Sequence, residues 1–398
     1  MKQTNKLWQN QTALLPLIEE YTVGNDHEID QKLLPYDVLA SKAHAAMLVK
    51  TGVLTTSEND KLQAGLDRVL EKWQKGDFKV TREQEDVHTA LENYLTTKYG
   101  EIGKKIHTGR SRNDQALVMI RLYLIEQLET IADSMSKLSA TLLDKAEQNA
   151  QVPMPGYTHT QKAMPTTVGL WLASFAAGFQ DSEGFINSTA KLLDQNPLGS
   201  ASGFGVESAV VDRNFTTKAL GFARTQENPL YCGLSRGMFE GVTLQTLAMP
   251  MQLCGRFAAD MMLFTMQEFG YFSLPASFTT GSSIMPQKRN YDLFEIMRAN
   301  VRAYLSKASE IQQIVAGLIS GYNRDVQITK RLVVEGIELC VQTIAVTESV
   351  VQQMHVHEDV LKTAMTSDLF ATARVYKLVE QGMPFRDAYL KIKQELGV

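Results

Sequence analysis

A long helical pattern occupies residues 114–149, which read DQALVMIRLYLIEQLETIADSMSKLSATLLDKAEQN. Its apolar residues recur at alternating steps of three and four, at Leu117, Ile120, Leu124, Leu128, Ile131, Met135, Leu138 and Leu142. This spacing places them on one side of an α-helix, as a seam for packing along other helices. At 1.5 Å per residue the helix would be roughly 50 Å long. The sequence therefore predicts a fold built on long packed helices.

Four further helical patterns follow, and strand-like alternation is scarce throughout the chain. The patterns cover residues 166–194, 239–269, 291–319 and 326–354. Residues 1–105 mix shorter helical segments with turns. We therefore predict a mainly α protein with a helix bundle at its centre.

Bulk properties limit the classes of function. A chain of 398 residues with 44% hydrophobic and 21% charged residues has ample sequence for a large core. The net charge of −4 disfavours a nucleic-acid partner. Three widely spaced cysteines without a Cys-x-x-Cys pattern predict buried thiols in a reducing compartment. The uncharged residues 163–180 contain small and polar side chains that suit a bundle helix better than a membrane span, and no signal-like run follows Met1, so a cytoplasmic protein is expected.

Three polar islands interrupt the helical sequence. They are residues 107–115 (HTGRSRNDQ), 155–161 (PGYTHTQ) and 280–290 (TGSSIMPQKRN). In the third island, Gly281 permits unusual backbone angles, Lys288 and Arg289 supply positive charge, and Asn290 both donates and accepts. Such a loop can wrap an anion while offering a hydroxyl, although Gly, Ser and Pro together more often mark only a surface turn.

These islands, in this order, resemble the fumarase/aspartase superfamily and, within it, argininosuccinate lyase. Residues 280–290 resemble the superfamily signature, and residues 107–115 and 155–161 resemble narrower family marks. Supporting matches are the segments EDVH at 85–88, PLGS at 197–200 and YNRD at 322–325. The resemblance implies three mainly helical domains, which we place at residues 1–105, 106–354 (the central long-helix bundle) and 355–398 (a short C-terminal domain). It also implies a homotetramer with active sites shared between subunits. The histidines lack a zinc-like cluster, and no Gly-x-Gly-x-x-Gly or Walker motif opens a helix, so neither a metal nor a cofactor is expected.

The implied reaction is cleavage of argininosuccinate, a small molecule, to arginine and fumarate through an aci-carboxylate intermediate. By resemblance Ser282 is the base, and it needs neighbouring cations and N–H donors such as those of Lys288 and its loop because a free hydroxyl is a very weak acid. Ser283 is the adjacent alternative. His159 resembles the second acid/base residue, acting directly or through water, and Glu295 resembles its carboxylate partner.

The substrate carries three carboxylates, an α-ammonium group and a guanidinium group, so its site should mix donors and acceptors. Arg110 and Arg112 could hold carboxylates, but structural pairing of at least one of them is as strong an alternative. Residue His88 is expected to help position the site. The expected substrate-binding residues are His88, Arg110, Ser111, Arg112, Asn113, Thr158, Arg236, Asn290, Tyr322, Gln327 and Lys330.

Some segments depart from the family pattern. Asn25 and Asp26 fall where relatives have a substrate-binding serine, Tyr291 falls where they have a proline, and residues 228–238 differ from their usual pattern. The chain also ends earlier than relatives usually do. These departures leave open another fumarate-releasing lyase, such as adenylosuccinate lyase or aspartase, or an inactive crystallin-like relative. Retention of the four expected catalytic residues argues against the inactive alternative.

Overall fold

A computed structural model describes residues 14–397, and these residues are mainly α-helical. The predicted fold class is confirmed. The helices are α1 (Pro16–Val23), α2 (Asp26–Lys50), α3 (Thr56–Gln74), α4 (Val87–Tyr99), α5 (Glu101–Lys105), α6 (Arg112–Gln148), α7 (Val168–Leu193), α8 (Arg213–Ala219), α9 (Pro229–Ser235), α10 (Met238–Phe264), α11 (Asp292–Val315), α12 (Gln327–Gln353), α13 (Glu358–Ala364), α14 (Ala371–Glu380) and α15 (Phe385–Glu395).

The described strands are short and form three two-stranded sheets. They are β1 (Pro153–Thr158), β2 (Gln161–Thr167), β3 (Gln195–Asn196), β4 (Arg224–Thr225), β5 (Phe272–Ser273) and β6 (His355–Val356). Strands β1 and β2 pair antiparallel, β3 and β4 parallel, and β5 and β6 antiparallel.

The five long helices predicted from apolar spacing are α6, α7, α10, α11 and α12. The seam of α6 is buried as expected, from Leu117 at 6% exposure to Leu142 at 0%. Of the expected C-terminal ends, that of α10 differs most: the helix ends at Phe264, five residues before the predicted Phe269. Burial of such a seam, rather than helix propensity alone, is what holds a long helix in a folded protein.

The hairpin of β1 and β2 corrects the predicted start of the second long helix. The pattern placed that start at residue 166, whereas residues 161–167 are strand β2 and α7 begins at Val168. The hairpin turns at His159 and Thr160, whose φ angles of 54° and 63° are both positive, as a two-residue turn of type I′ requires. Prolines weakened the strand signal, but they are tolerated because each strand of a two-stranded sheet has a free edge.

Of the described residues, the first of two compact units holds 14–130, 185–247 and 305–338. Helices α2, α3 and α4 pack on one another in this unit. The segments of α10 and α12 in this unit also lie close together. A Cβ added at Gly336 would lie only 2.8 Å from Leu244 Cδ2. This unit brings together the N-terminal ends of α2, α4, α6 and α12.

The second unit holds residues 131–184, 248–304 and 339–397. An aromatic cluster fills part of its core, with the Trp171 ring stacked on Phe272 at 5.1 Å and on Phe257 at 5.8 Å. The Trp171 indole donates to Asp260 Oδ2 at 2.9 Å, so its polar atom is satisfied. This unit carries the β1–β2 hairpin, the loop before α11 and the C-terminal helices.

The two units differ from the three domains expected from the sequence, and the three-domain division stays a prediction. Residues 1–13 of the first expected domain lie outside the described part of the chain. Cys232, Cys254 and Cys340 are buried and unpaired. None of the helices in residues 14–397 is long and apolar enough to cross a membrane.

Candidate active site

Lys330 anchors a buried charge cluster in the first unit. It lies in the first turn of α12, and its Nζ lies 2.8 Å from Asp26 Oδ2 and also donates to Asp30 Oδ1. The Lys330 side chain is 3% exposed. Burial alone would lower the pKa of this amine, but the charges of Asp30 and Asp26 outweigh burial and raise it. Lys330 is therefore held as a cation.

Asp86 and Arg112 form a second pair beside it. Asp86 is the N-cap of α4, where its Oδ1 accepts from Thr89 N at 2.8 Å. Its Oδ2 accepts from Arg112 Nη1 at 2.8 Å. Burial of Asp86 opposes ionisation, but the charges of His88 and Arg112 prevail and lower the pKa of this carboxyl. Arg112, at the start of α6, is thus tied to α4.

Glu85 links two arginines. Its Oε1 accepts from Arg324 Nη2 at 2.7 Å, and its Oε2 lies 3.7 Å from Arg112 Nη1. The φ angle of Glu85 is 69°, a conformation that costs free energy for a residue with a side chain. The backbone at Glu85 is therefore held in a strained turn just before the capped start of α4.

His88 pairs with a buried carboxylate. Its Nδ1 lies 3.0 Å from Asp37 Oδ1, and the side chains are 3% and 0% exposed. Burial would lower the pKa of His88, but Asp37 and the other nearby carboxylates raise it. Sequence reasoning placed His88 here as a positioning residue but did not identify Asp37.

Arg110 and Ser111 serve the start of α6. The Arg110 side chain is buried and donates to Ser41 Oγ at 2.9 Å, and burial lowers its pKa. Ser111 Oγ accepts from Asn113 N at 3.3 Å. Arg112 is thus paired with a carboxylate, whereas Arg110 makes a hydrogen bond to a serine; substrate contact stays a prediction for both.

One pocket in the first unit gathers seven of the predicted site residues. Arg236 in its lining is 5% exposed, and its Nε has no hydrogen-bond partner among residues 14–397, although its charge acts on the buried carboxylate of Glu240. Sequence reasoning did not place Asp26, Glu85 or Asp86 among the site residues, although it marked Asp26 as a departure from the family pattern and residues 85–88 as a family match. The predicted residues in the lining are His88, Arg112, Asn113, Arg236, Tyr322, Gln327 and Lys330, joined by Asp26, Glu85, Asp86, Ala116 and Arg324.

The third polar island is a closed loop in the second unit. Its ends are joined by Thr280 N to Asn290 O at 3.0 Å and by Asn290 N to Thr280 O at 2.9 Å. Within it, Ser282 Oγ accepts from Ile284 N at 3.3 Å and Met285 N at 3.0 Å. Two backbone donors on one hydroxyl oxygen stabilise negative charge there.

Other predicted residues flank this loop. Lys288, Asn290 and Glu295 line an open pocket together with Tyr291. Glu295 and Asp292 lie in the first turn of α11. Tyr291, which stands where the family pattern has a proline, makes a structural hydrogen bond: its hydroxyl accepts from Leu274 N at 3.2 Å.

Thr158 and His159 lie at the tip of the β1–β2 hairpin, also in the second unit. Both are exposed. Thr160 Oγ1 donates to His159 O at 2.6 Å. The predicted residues thus fall into three groups: the charged pocket with Arg110 and Ser111, the Ser282 loop with Glu295, and the hairpin tip. Among residues 14–397 no group of three or more His, Cys, Asp or Glu side chains could hold a metal ion.

Comparisons with known proteins identify relatives along the whole chain. Residues 1–303 match a protein-family model described as Lyase. The chain is 39% identical over 394 residues to an argininosuccinate lyase from Thermotoga neapolitana, covering 99% of each protein. It is 41% identical over 392 residues to an argininosuccinate lyase from Sorangium cellulosum, covering 98% of this chain and 91% of that protein.

Solved structures share the fold at low sequence identity. EDDS lyase in complex with formate aligns with a TM-score of 0.80 and 24% identity, covering 96% of this chain and 76% of that one. Class II fumarase from Schistosoma mansoni aligns with a TM-score of 0.79 and 15% identity, covering 94% and 91%. These likenesses bear on the fold alone.

Proposed function

This chain belongs to the argininosuccinate lyase family, and we propose on that basis that it cleaves argininosuccinate to L-arginine and fumarate, the last step of arginine biosynthesis. The observation that carries the proposal is about 40% identity to argininosuccinate lyases over nearly the full chain. The charged pocket supports it, since it offers cations, carboxylates and amides to a substrate that carries both signs of charge.

In the proposed mechanism, Ser282 removes a proton from the carbon beside a succinate carboxylate. The electron pair enters that carboxylate and forms the aci-carboxylate, then returns to form the carbon–carbon double bond as the C–N bond breaks. The guanidino nitrogen keeps the electrons of the broken bond and leaves with a proton. The N–H groups of Ile284 and Met285 support ionisation of Ser282, and Lys288 adds positive charge to the same loop.

His159 is proposed as the second acid/base group, with Glu295 as its partner carboxylate. His159 is exposed at the tip of the β1–β2 hairpin, where its imidazole is accessible to a substrate or to water. If His159→Asn kept a near-normal rate at saturating substrate, a proton-transfer role for this side chain would be untenable.

We also propose a cytoplasmic homotetramer whose subunits share active sites. Free buried thiols are typical of reducing compartments. Helix α7 supports association, because it exposes Leu170 and Phe185, which are 66% and 59% accessible. Dilution should then abolish activity and the tetramer together, and fully active monomers would contradict shared sites.

The decisive assay measures fumarate release by its ultraviolet absorbance. Argininosuccinate, adenylosuccinate and aspartate are tested in parallel. We expect release from argininosuccinate alone. Ser282→Ala should lower kcat by about 10²- to 10⁴-fold, the usual contribution of general-base catalysis. The neighbouring Ser283→Ala is the matched control and should stay active. Release from another substrate would support a fumarate-releasing lyase with a different substrate specificity. Loss of activity only in Ser283→Ala would identify Ser283, rather than Ser282, as the base.

A further inference from the structure

Most oxygens of the carboxylates that line the charged pocket already have a partner within the protein. Both oxygens of Asp86 accept hydrogen bonds, from Thr89 N and from Arg112. Both oxygens of Glu85 face guanidinium groups, those of Arg324 and Arg112. Three of these four oxygens face the protein's own arginines and the fourth accepts from a backbone N–H group, so each already has a partner.

Asp26 is the exception. Its Oδ2 lies 2.8 Å from Lys330 Nζ, while its Oδ1 has no hydrogen bond or ion pair with any residue in 14–397. The Asp26 side chain is 12% exposed and lines the pocket. A carboxylate oxygen that lines a pocket and has no protein donor is available to a cationic partner, with which it forms a charge-assisted hydrogen bond.

A group of opposite charge lines the same pocket. Arg236 is 5% exposed, and its charge acts on the buried carboxylate of Glu240, but its Nε has no hydrogen-bond partner among residues 14–397. The pocket therefore presents one unfilled acceptor at Asp26 and one unfilled donor at Arg236. A zwitterion supplies both missing partners at once.

We propose that Asp26 is a specificity-determining residue whose Oδ1 binds the α-ammonium group at the amino-acid end of the substrate, while Arg236 and Lys330 face the α-carboxylate. This inference rests on the proposed function. The other cation of argininosuccinate, its guanidinium, contains the nitrogen of the bond that breaks and so stays at the reacting end. The side-chain methylenes separate it from the α-ammonium group, which is left as the ligand for Asp26.

A carboxylate and a serine differ in what they select at this position. A serine hydroxyl, which the family resemblance places near residues 25 and 26, donates to a carboxylate as readily as it accepts from an ammonium group. An ionised aspartate only accepts, so it rejects a ligand end that lacks a donor. Asp26 thus makes recognition depend on the ammonium group itself.

Calorimetric binding of three probes tests this: L-arginine, 5-guanidinopentanoate, which lacks the α-ammonium group, and agmatine, which keeps an ammonium group but lacks the carboxylate. Asp26→Asn should weaken L-arginine and agmatine by about 10- to 100-fold, the usual effect of a hydrogen bond between charged groups. The affinity for 5-guanidinopentanoate should change less than about threefold, because this probe has no ammonium group to contact Asp26. Equal weakening of all three probes, or of none, would overturn the assignment.

Two further variants separate this effect from others. Glu28→Gln removes an exposed charge from the same first turn of α2, away from the pocket lining, and should leave all three affinities unchanged. Asp26→Ser should reproduce the loss of discrimination if Asp26→Asn fails to fold. The fumarate-release assay on the wild-type protein is run beside them. Absence of argininosuccinate cleavage there would refute the proposed function and this inference together, whereas normal cleavage with unchanged discrimination in the variants would refute the inference alone.

Discussion

Replacement of Asp114 tests how the pocket wall is held. Asp114 is 0% exposed, and its Oδ1 accepts from Ser111 N at 2.9 Å. Its Oδ2 accepts from Gly199 N at 2.8 Å and Ala201 N at 3.0 Å. One carboxylate therefore joins the start of α6 to the loop that follows β3, and Asp114→Ala would orphan three backbone donors.

The magnitude follows from these contacts. Hydrogen bonds to a charged acceptor contribute roughly 1.5 to 3 kcal/mol each, so three give about 4 to 9 kcal/mol before burial is counted. Burial of Asp114, which raises its pKa, offsets part of that sum. We expect Asp114→Ala to lose about 3 to 5 kcal/mol, as when one partner of a buried charged network is removed. Asp114→Asn keeps one acceptor oxygen and should lose about 2 kcal/mol.

Equilibrium unfolding in urea, followed by circular dichroism, measures both variants. Asp133→Asn, an exposed aspartate further along α6, is the matched control and should stay within about 0.5 kcal/mol of wild type. A variant that folds should also show a raised KM, because Asn113 and residues 200–203 line one small pocket. If Asp114→Asn were as stable as the wild type, the carboxylate charge would not be what holds the loop.

Three further outcomes follow from other contacts. Because the pKa of Asp86 is lowered, its ionised form contributes stability above about pH 4, and this contribution is lost as pH falls. The loss of unfolding free energy in Asp86→Asn, measured in urea, should therefore shrink from neutral to acidic pH, and a loss that does not change with pH would contradict this sign. A Cβ at Gly103 would lie 2.4 Å from the backbone of Leu95, so Gly103→Ala should destabilise by about 1 to 3 kcal/mol, and an unchanged melting temperature would contradict the crowding. At the hairpin tip, Thr160→Gly relieves a φ of 63° and should raise the unfolding free energy by up to about 1 kcal/mol, whereas a clear loss would show that the threonine hydroxyl outweighs the strain.

The long helices could be predicted because their signal is local and repeated. Each turn of α6 adds another buried side chain to the same seam, so errors at single positions do not matter. The β1–β2 hairpin had no such repetition. It depends on two consecutive positive φ angles at His159 and Thr160, residues that carry little turn signal of their own.

The candidate site was predictable in its residue types but not in its pairings. The first polar island pointed to Arg112 and the family resemblance to Lys330, yet the carboxylates that hold them, Asp86 and Asp30, lie 26 and 300 residues away. Local sequence spacing does not report such contacts, because they exist only once α2, α4, α6 and α12 have packed. Burial also makes these partners necessary, since an unpaired charge in that position would be too costly to keep.

Arg110 and Arg112 show how sharply packing divides similar residues. They lie two positions apart in one island, and the sequence offered the same two roles for both. Arg110 precedes the first turn of α6 and is turned inward to Ser41, where burial lowers its pKa. Arg112 opens the helix, and its side chain, 29% exposed, spans Asp86 and Glu85 at the edge of the charged pocket. Whether each arginine can reach a ligand therefore depends on the direction its side chain takes where the chain enters α6. The packing of neighbouring helices sets that direction, and the residue type does not.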